Sequence, residues 1–300
     1  MQGEYRMQYL ILGANGYIGS YIYDRMQKSG LAVIGTGHKR AGCEELVYYD
    51  IRTDDIEDIL KACVEDSEKT AIVCITESNI DKCHVNYEEC YQTNVVAMKS
   101  LIHKLHGNGF HVIFFSSDNV FNGEKGNYTE ESQTCAINDY GKMKAEIEAY
   151  LLEHEPQTCI FRISKVVSNK KERQNVFTEW ENQMKDSEIR CIQGNIISFI
   201  YIEDIYQACL LAAEKRLAGL YNVVGDQGYS RKELAQKFYA AKNVTNIKIH
   251  ECSAQDIPFK DKRRPLNVSM SNQKFKKETG YRFTSMDEVI RKYVENNQEG

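Results

Sequence analysis

The stretch YLILGANGYIG, Tyr9 to Gly19, restricts the fold more than any other part of the chain. An apolar run of strand type leads directly into three glycines, Gly13, Gly16 and Gly19, and the residues behind them read as a helix over about 17–29. In a strand–turn–helix unit, glycine at the first position permits a tight turn. Glycine at the second lets the backbone approach a pyrophosphate, and glycine at the third lets helix and strand pack closely. The helix N-terminus then presents unpaired N–H groups to an anion. Gly13, Asn15, Gly16, Tyr17, Ile18 and Gly19 are therefore candidate contacts of a nucleotide's phosphates. The glycines are spaced three and three, not two and three.

The alternation continues downstream. Strand-like runs occupy residues 31–37, 46–50, 70–76, 111–117 and 158–164, separated by helical stretches over roughly 54–66, 86–107 and 140–154. Most of these runs are continuously apolar, as parallel strands buried on both faces require. The pattern predicts an α/β fold, a Rossmann-type doubly wound parallel sheet. After Ser168 it changes. A polar helical stretch reaches about Ser187, EIRCIQG and NIISFIYIED read as strands, and SRKE (Ser230, Glu233) and SMDE (Ser285, Glu288) read as capping boxes. Gly280 stands where a helix C-cap glycine belongs. These segments predict a smaller C-terminal α+β substrate lobe. We assign residues 1–167 plus 196–224 to the nucleotide-binding domain and 168–195 plus 225–300 to that lobe.

Composition narrows the partners. Formal net charge is −5 over 300 residues, which argues against nucleic acid or an anionic membrane as the main partner. No apolar run approaches the ~18 residues of a membrane span. No signal peptide is read at the N-terminus, and Met7 is a second candidate start. The ten cysteines are scattered, without a Cys-x-x-Cys pair, which fits reduced thiols in a cytoplasm. Cys83, His84 and Cys90 match no zinc spacing, so no metal is expected.

The second strand ends in GTGHKR, without the Asp or Glu that receives a ribose 2′-hydroxyl. His38, Lys39 and Arg40 suit a 2′-phosphate instead, so NADP(H) is favoured, with NAD(H) the alternative. A solvated basic loop is the bland reading. Asp50 closes the third strand, where it either receives an adenine amino group or caps the next turn. Ser117 ends the fifth strand, at the carboxyl edge where open α/β sheets bind ligands. Tyr140 and Lys144, four residues apart, share one helix face. A free tyrosine titrates near ~10, and a neighbouring ammonium lowers that value. The three read as a catalytic set in which Ser117 holds a carbonyl oxygen and Tyr140 protonates it. Tyr-x-x-x-Lys alone is common on helices; its place behind the glycine loop and Ser117 distinguishes this one. Asn94 is a site candidate or a helix-interior hydrogen-bonding residue, and Asp204 reads as a helix N-cap.

Together, the three glycines, Ser117 and Tyr140-x-x-x-Lys144 resemble the extended short-chain dehydrogenase/reductase superfamily. FFSSDNVFNGEKGNYTEES, NDYGKMKAEIE and RRPLNVSMSNQKFKKETGY are similar to the dTDP-4-dehydrorhamnose reductase family over nearly the whole chain. That resemblance implies an NADP(H)-dependent reductase of a keto group on a nucleotide-linked sugar. Lys144 would also bind the nicotinamide ribose, and Asp118, Asn119 and Arg264 would meet the substrate. Lys260, Lys262 and Arg263 read equally well as a solvated basic loop. Asn119 stands where the family places tyrosine, and Asn122 where it places aspartate. Ser117-Asp118-Asn119 lacks the second acid of the sugar-nucleotide dehydratases, which argues against dehydration. The superfamily also implies a homodimer through the helices at 86–107 and 140–154. Two alternatives stand beside the reductase. One is an epimerase with tightly bound NAD; the other is a non-catalytic, NADP-binding regulatory subunit similar to the methionine adenosyltransferase beta subunits.

Overall fold

The computed structural model describes residues 7–38, 45–63, 67–184 and 188–297. Its sheet strands are β1 (Gln8–Leu12), β2 (Ala32–Gly37), β3 (Val47–Tyr48), β4 (Lys69–Val73), β5 (His111–Ser117), β6 (Cys159–Ile163) and a last strand, Gly219–Asn222. They form one seven-stranded sheet in the order Gly219–Asn222, β6, β5, β4, β1, β2, β3. β1 lies parallel between β2 and β4, with Leu10 opposite both Ile34 and Ala71. Every residue of β1 is buried, which is why its sequence is a continuous apolar run and not an alternating one. The order reverses between β1 and β4, and a doubly wound sheet opens a crevice at the carboxyl ends of strands at such a point.

The chain divides into two compact units: Met1–Ser116, Met143–Phe161 and Tyr206–Leu220 in the first, and Ser117–Lys142, Arg162–Ile205 and Tyr221–Gly300 in the second. In the first, Leu10, Leu12, Val73, Val112 and Phe114 of the strands pack with Leu101 and Leu105 of helix Ala97–Gly107 and with Ile147 and Leu151 of helix Asp139–His154. In the second, Phe177 stacks on Phe238 with ring centroids 5.3 Å apart, and Trp180 and Tyr293 close the cluster. The late strands pair locally, with Lys248–Cys252 parallel to Glu188–Ile192. Among the described residues no helix is long and apolar enough to cross a membrane.

Local chemistry explains where elements end. Ser230 receives Glu233 N while Glu233 receives Ser230 N, the reciprocal capping expected there, each such cap contributing about 1 kcal/mol. Ser285 receives Glu288 N and opens helix Met286–Asn296. Gly280 ends its helix at φ 73°, a conformation that penalises any side chain. Three expectations need correction. The helix at 54–66 is reduced, among the described residues, to Glu57–Lys61. The helix at 86–107 is three segments, Tyr87–Tyr91, a π-helical turn at Gln92–Val96, and Ala97–Gly107, and a further helix, Ile80–Val85, precedes it. Asn86, at φ −115° and ψ 51°, breaks the run between Ile80–Val85 and Tyr87–Tyr91. Finally, Ile202–Lys215 is helical, so Asp204 falls in its first turn and is no N-cap. Asp204 is buried and accepts from Tyr281 Oη, Thr284 N and Thr284 Oγ1, fixing the segment before the last helix.

Candidate functional site

The glycine loop has the geometry its sequence predicts. Gly13 sits at φ 89°, and its N–H donates to Thr36 Oγ1 at 3.3 Å. A Cβ on Gly19 would lie 2.2 Å from Gly13 O, so only glycine lets the helix approach the loop this closely. A Cβ on Gly16 would press on Gly13 O at 3.3 Å, and Gly16 is otherwise exposed on its outer side. Helix Tyr17–Lys28 begins behind Gly16 with no side-chain cap and no acid in its first turn. Its first N–H groups are thus offered outward, as phosphate binding requires. Tyr17 and Ile18 form the start of that helix.

A cleft of about 250 Å³ opens over this loop, lined among others by Gly13, Asn15, Gly16, His38, Asp50 and Thr76. Asn15 Nδ2 donates to His38 O at 3.3 Å and spans the ends of β1 and β2. Lys39 and Arg40 lie outside the described residues. Asp50 holds Arg52 by a fork: Oδ1 accepts from Arg52 N and Nε, and Oδ2 from Nη2. Arg52 holds the Asp50 carboxyl below the usual carboxylate range. The turn-capping role proposed for Asp50 is therefore present. Arg52 Nη1 also reaches Glu89 at 3.0 Å across the cleft wall.

Asn94, in the π-helical turn, holds the loop that follows β4. Its Oδ1 accepts from Thr76 Oγ1 and Glu77 N, and its Nδ2 donates to Glu77 O at 2.9 Å. Of its two readings, the hydrogen-bonding one is what the structure contains. Cys83 and Cys90 are buried, and burial pushes the Cys83 thiol up to about 12.

In the second unit, β5 ends in a network. Ser117 Oγ donates to Asp118 Oδ1 at 3.1 Å and accepts from Asn119 N at 3.2 Å. Asn119 Nδ2 donates to Asp118 Oδ1 at 2.9 Å, and Ser164 Oγ donates to Asp118 Oδ2 at 2.6 Å. Burial raises the Asp118 pKa, and these hydrogen bonds oppose the rise. Asn138 then joins this turn to the helix that carries Tyr140. Its Nδ2 donates to Asn119 Oδ1 at 2.9 Å and its Oδ1 accepts from Gly141 N at 2.8 Å. A Cβ on Gly141 would stand 2.0 Å from Asn119 O, so the helix start and the turn after β5 are in direct contact. Tyr140, between Asn138 and Gly141 in sequence, is 7% exposed.

Lys144 lies one turn further along the helix and is 2% exposed. Its Nζ donates to Phe115 O at 2.9 Å, tying the helix to β5 two residues before Ser117, and lies 4.7 Å from the centre of the Phe114 ring. Burial lowers its pKa from 10.5 to about 8, with Glu148 pulling the other way.

In the basic segment near the C-terminus Lys260 is exposed, whereas Lys262, Arg263 and Arg264 are bonded. Arg263 pairs with Asp261 and Asp139, and Lys262 Nζ donates to Gln255 O and Ile257 O. Arg264 Nε donates to Asp261 O, and its guanidinium lies 4.2 Å from the Phe259 ring centre. Sequence reasoning missed Asn138, Gly141 and Ser164. Asn138 had a readable signal, an Asn at the entrance of a helix. Ser164 had none, and neither did the bond from Arg263 to Asp139, since the partners lie 46 and 124 residues away.

A family model described as the RmlD substrate binding domain matches residues 7–299. Methionine adenosyltransferase 2 subunit beta of Xenopus tropicalis is 26% identical over 281 residues, spanning 89% of this chain and 81% of that protein. The fold is shared with a solved dTDP-4-dehydrorhamnose reductase of Clostridium acetobutylicum, at TM-score 0.83 and 23% identity over 97% of this chain and all of that one. It is also shared with one of Bacillus anthracis in complex with NADP, at TM-score 0.83 and 19% identity over 97% and 100% of the two chains.

Proposed function

Because this chain belongs to the RmlD substrate binding domain family, we propose that it is an NADP(H)-dependent reductase of a keto group on a nucleotide-linked sugar. The observation that carries this reading is the Ser117–Asn119–Asn138–Gly141 connection, which fixes a strand-end hydroxyl against the start of the Tyr140 helix. A surface Tyr–Lys pair needs no such support. The residues present suit a dinucleotide: Gly16 is open on its outer side, the helix behind it is uncapped, and the cleft reaches Asp50. The dinucleotide, when bound, supplies the hydride.

The chain's own groups do the rest. Tyr140 Oη gives its proton to the substrate oxygen. Lys144, as an ammonium, favours the phenolate left behind and binds the nicotinamide ribose. Ser117 turns its O–H from Asp118 to the substrate carbonyl, and Asp118, anchored by Ser164, keeps that serine in place. The Asn119 amide is engaged by Asn138 and Asp118, so it shapes the pocket where a tyrosine would reach further. Arg264, stacked on Phe259, is the contact for the substrate diphosphate that the family resemblance points to. His38, Lys39 and Arg40 receive the 2′-phosphate.

Steady-state NADPH oxidation over a panel of 4-keto sugar nucleotides tests this. Turnover with at least one, lost in Tyr140→Phe, is the expected result; no turnover with any refutes the reductase. A second reading is supported by the relatives that match most of the chain, which are methionine adenosyltransferase 2 beta subunits. In it the chain binds NADP and acts on a catalytic partner. A stable complex with a methionine adenosyltransferase catalytic chain, indifferent to Tyr140→Phe, would favour it.

A further inference from the structure

Arg263 is the centre of a bonded cluster to which the proposed reaction assigns no part. Its Nε and Nη2 fork onto Asp261 Oδ1 and Oδ2, both at 2.8 Å. Nη2 also reaches Asp139 Oδ2 at 2.7 Å. Asp261 is 1% exposed, and a buried carboxylate without such a partner is strongly unfavourable. Asp139 is the first residue of the helix carrying Tyr140, where a carboxylate is also favoured by the helix dipole. The backbone is held as well: Arg263 O accepts from Asn138 Nδ2 at 3.2 Å. That same Asn138 holds Gly141 N on one side and Asn119 on the other. Arg264 is the next residue, and its Nε is bonded to Asp261 O. One guanidinium and one amide thus join the loop at 261–264 to the residues on both sides of Tyr140, through side chain and main chain together.

We propose that Arg263 is a positioning residue, which locks the loop carrying Arg264 onto the start of the Tyr140 helix so that the substrate's anionic end and the proton donor are held in fixed relation. This deepens, and rests on, the reductase reading. An isolated exposed ion pair would do little. Here the buried Asp261 and the doubled connection through Asn138 make the lock rigid. Lysine cannot replace it, because its single ammonium lacks the planar fork that meets both carboxylates.

The test uses Arg263→Gln, Asp139→Asn and the double variant, with kcat and KM measured per folded molecule. Arg263→Gln is expected to lower kcat about 10- to 100-fold and to raise KM for the sugar nucleotide, with KM for NADPH within about twofold of the parent. The double variant is expected to lose no more than Arg263→Gln alone, since that change already removes the bond to Asp139. Arg263→Lys should recover less than a tenth of the loss. Parental kcat and KM in Arg263→Gln, or strictly additive losses, overturn the proposal. If the parent reduces no keto sugar nucleotide, the reductase reading fails separately. The lock is then judged by amide exchange: Gly141 and Lys142 are expected to exchange at least about 10-fold faster in Arg263→Gln, and unchanged exchange overturns it.

Discussion

Lys144 carries a conflict between stability and use. Burial favours the neutral amine and lowers its pKa from 10.5 to about 8, whereas its proposed work needs the ammonium. Between pH 8 and 10.5 the unfolded chain holds the proton and the folded one does not, so the folded state gains stability as pH rises through that window. Activity should move the other way. We expect kcat/KM to fall as pH rises through about 8, on a limb absent from the residual activity of Lys144→Met. That variant should also keep a thermal midpoint at pH 7 no lower than the parent's, because it removes a buried charge. A pH–rate profile together with thermal melts checks both. Residue types and spacing made Ser117, Tyr140 and Lys144 legible as candidates from sequence. They could not reveal that the Ser117 proton is directed to Asp118, or that Ser164 anchors that carboxyl, because the Ser164 bond spans 46 residues.

At the scale of elements, two junctions bear weight. Where the turn after β5 meets the start of helix Asp139–His154, Gly141 has no room for a side chain. Gly141→Ala should therefore destabilise the fold by about 1–3 kcal/mol and lower kcat, as denaturant unfolding and turnover would read. At the other end of β5, His111 Nε2 donates to Leu217 O at 2.7 Å, and His106 bonds Thr158 Oγ1. Burial lowers both pKa values, so both rings are kept neutral in the fold. The unfolded chain takes up those protons first as pH falls below 6.5, so stability is full above that value and declines beneath it. The slope can reach about 1.4 kcal/mol per pH unit for each histidine. Urea unfolding at pH 7.5 and 5.5 should show this loss, smaller in His111→Gln. Strands were legible because parallel strands buried on both faces leave unbroken apolar runs, as in β1 and β5. The segmentation of 86–107 was not, because its apolar period continues through the π-helical turn at Gln92–Val96, which inserts a residue without interrupting the pattern.

For the molecule as a whole, the strand order, the open loop over β1 and the family assignment agree. Asn119 and Asn138 are bonded to each other at 2.9 Å, joining the turn after β5 to the start of the Tyr140 helix. A whole-chain consequence is cofactor choice. With no acid at the end of β2, the protein should bind NADPH at least about tenfold more tightly than NADH, and Arg40→Ala should narrow that ratio; fluorescence titration of both reads it. The central claim is proton donation by Tyr140 to a keto sugar nucleotide, and one measurement reaches it most directly. It is single-turnover oxidation of NADPH by the parent and by Tyr140→Phe on the best substrate of the panel, with NADPH affinity measured in parallel. The account predicts a loss of about 10²- to 10⁴-fold in the chemical step, with NADPH affinity within a few-fold of the parent. A Tyr140→Phe protein that oxidises NADPH at the parental rate would contradict it.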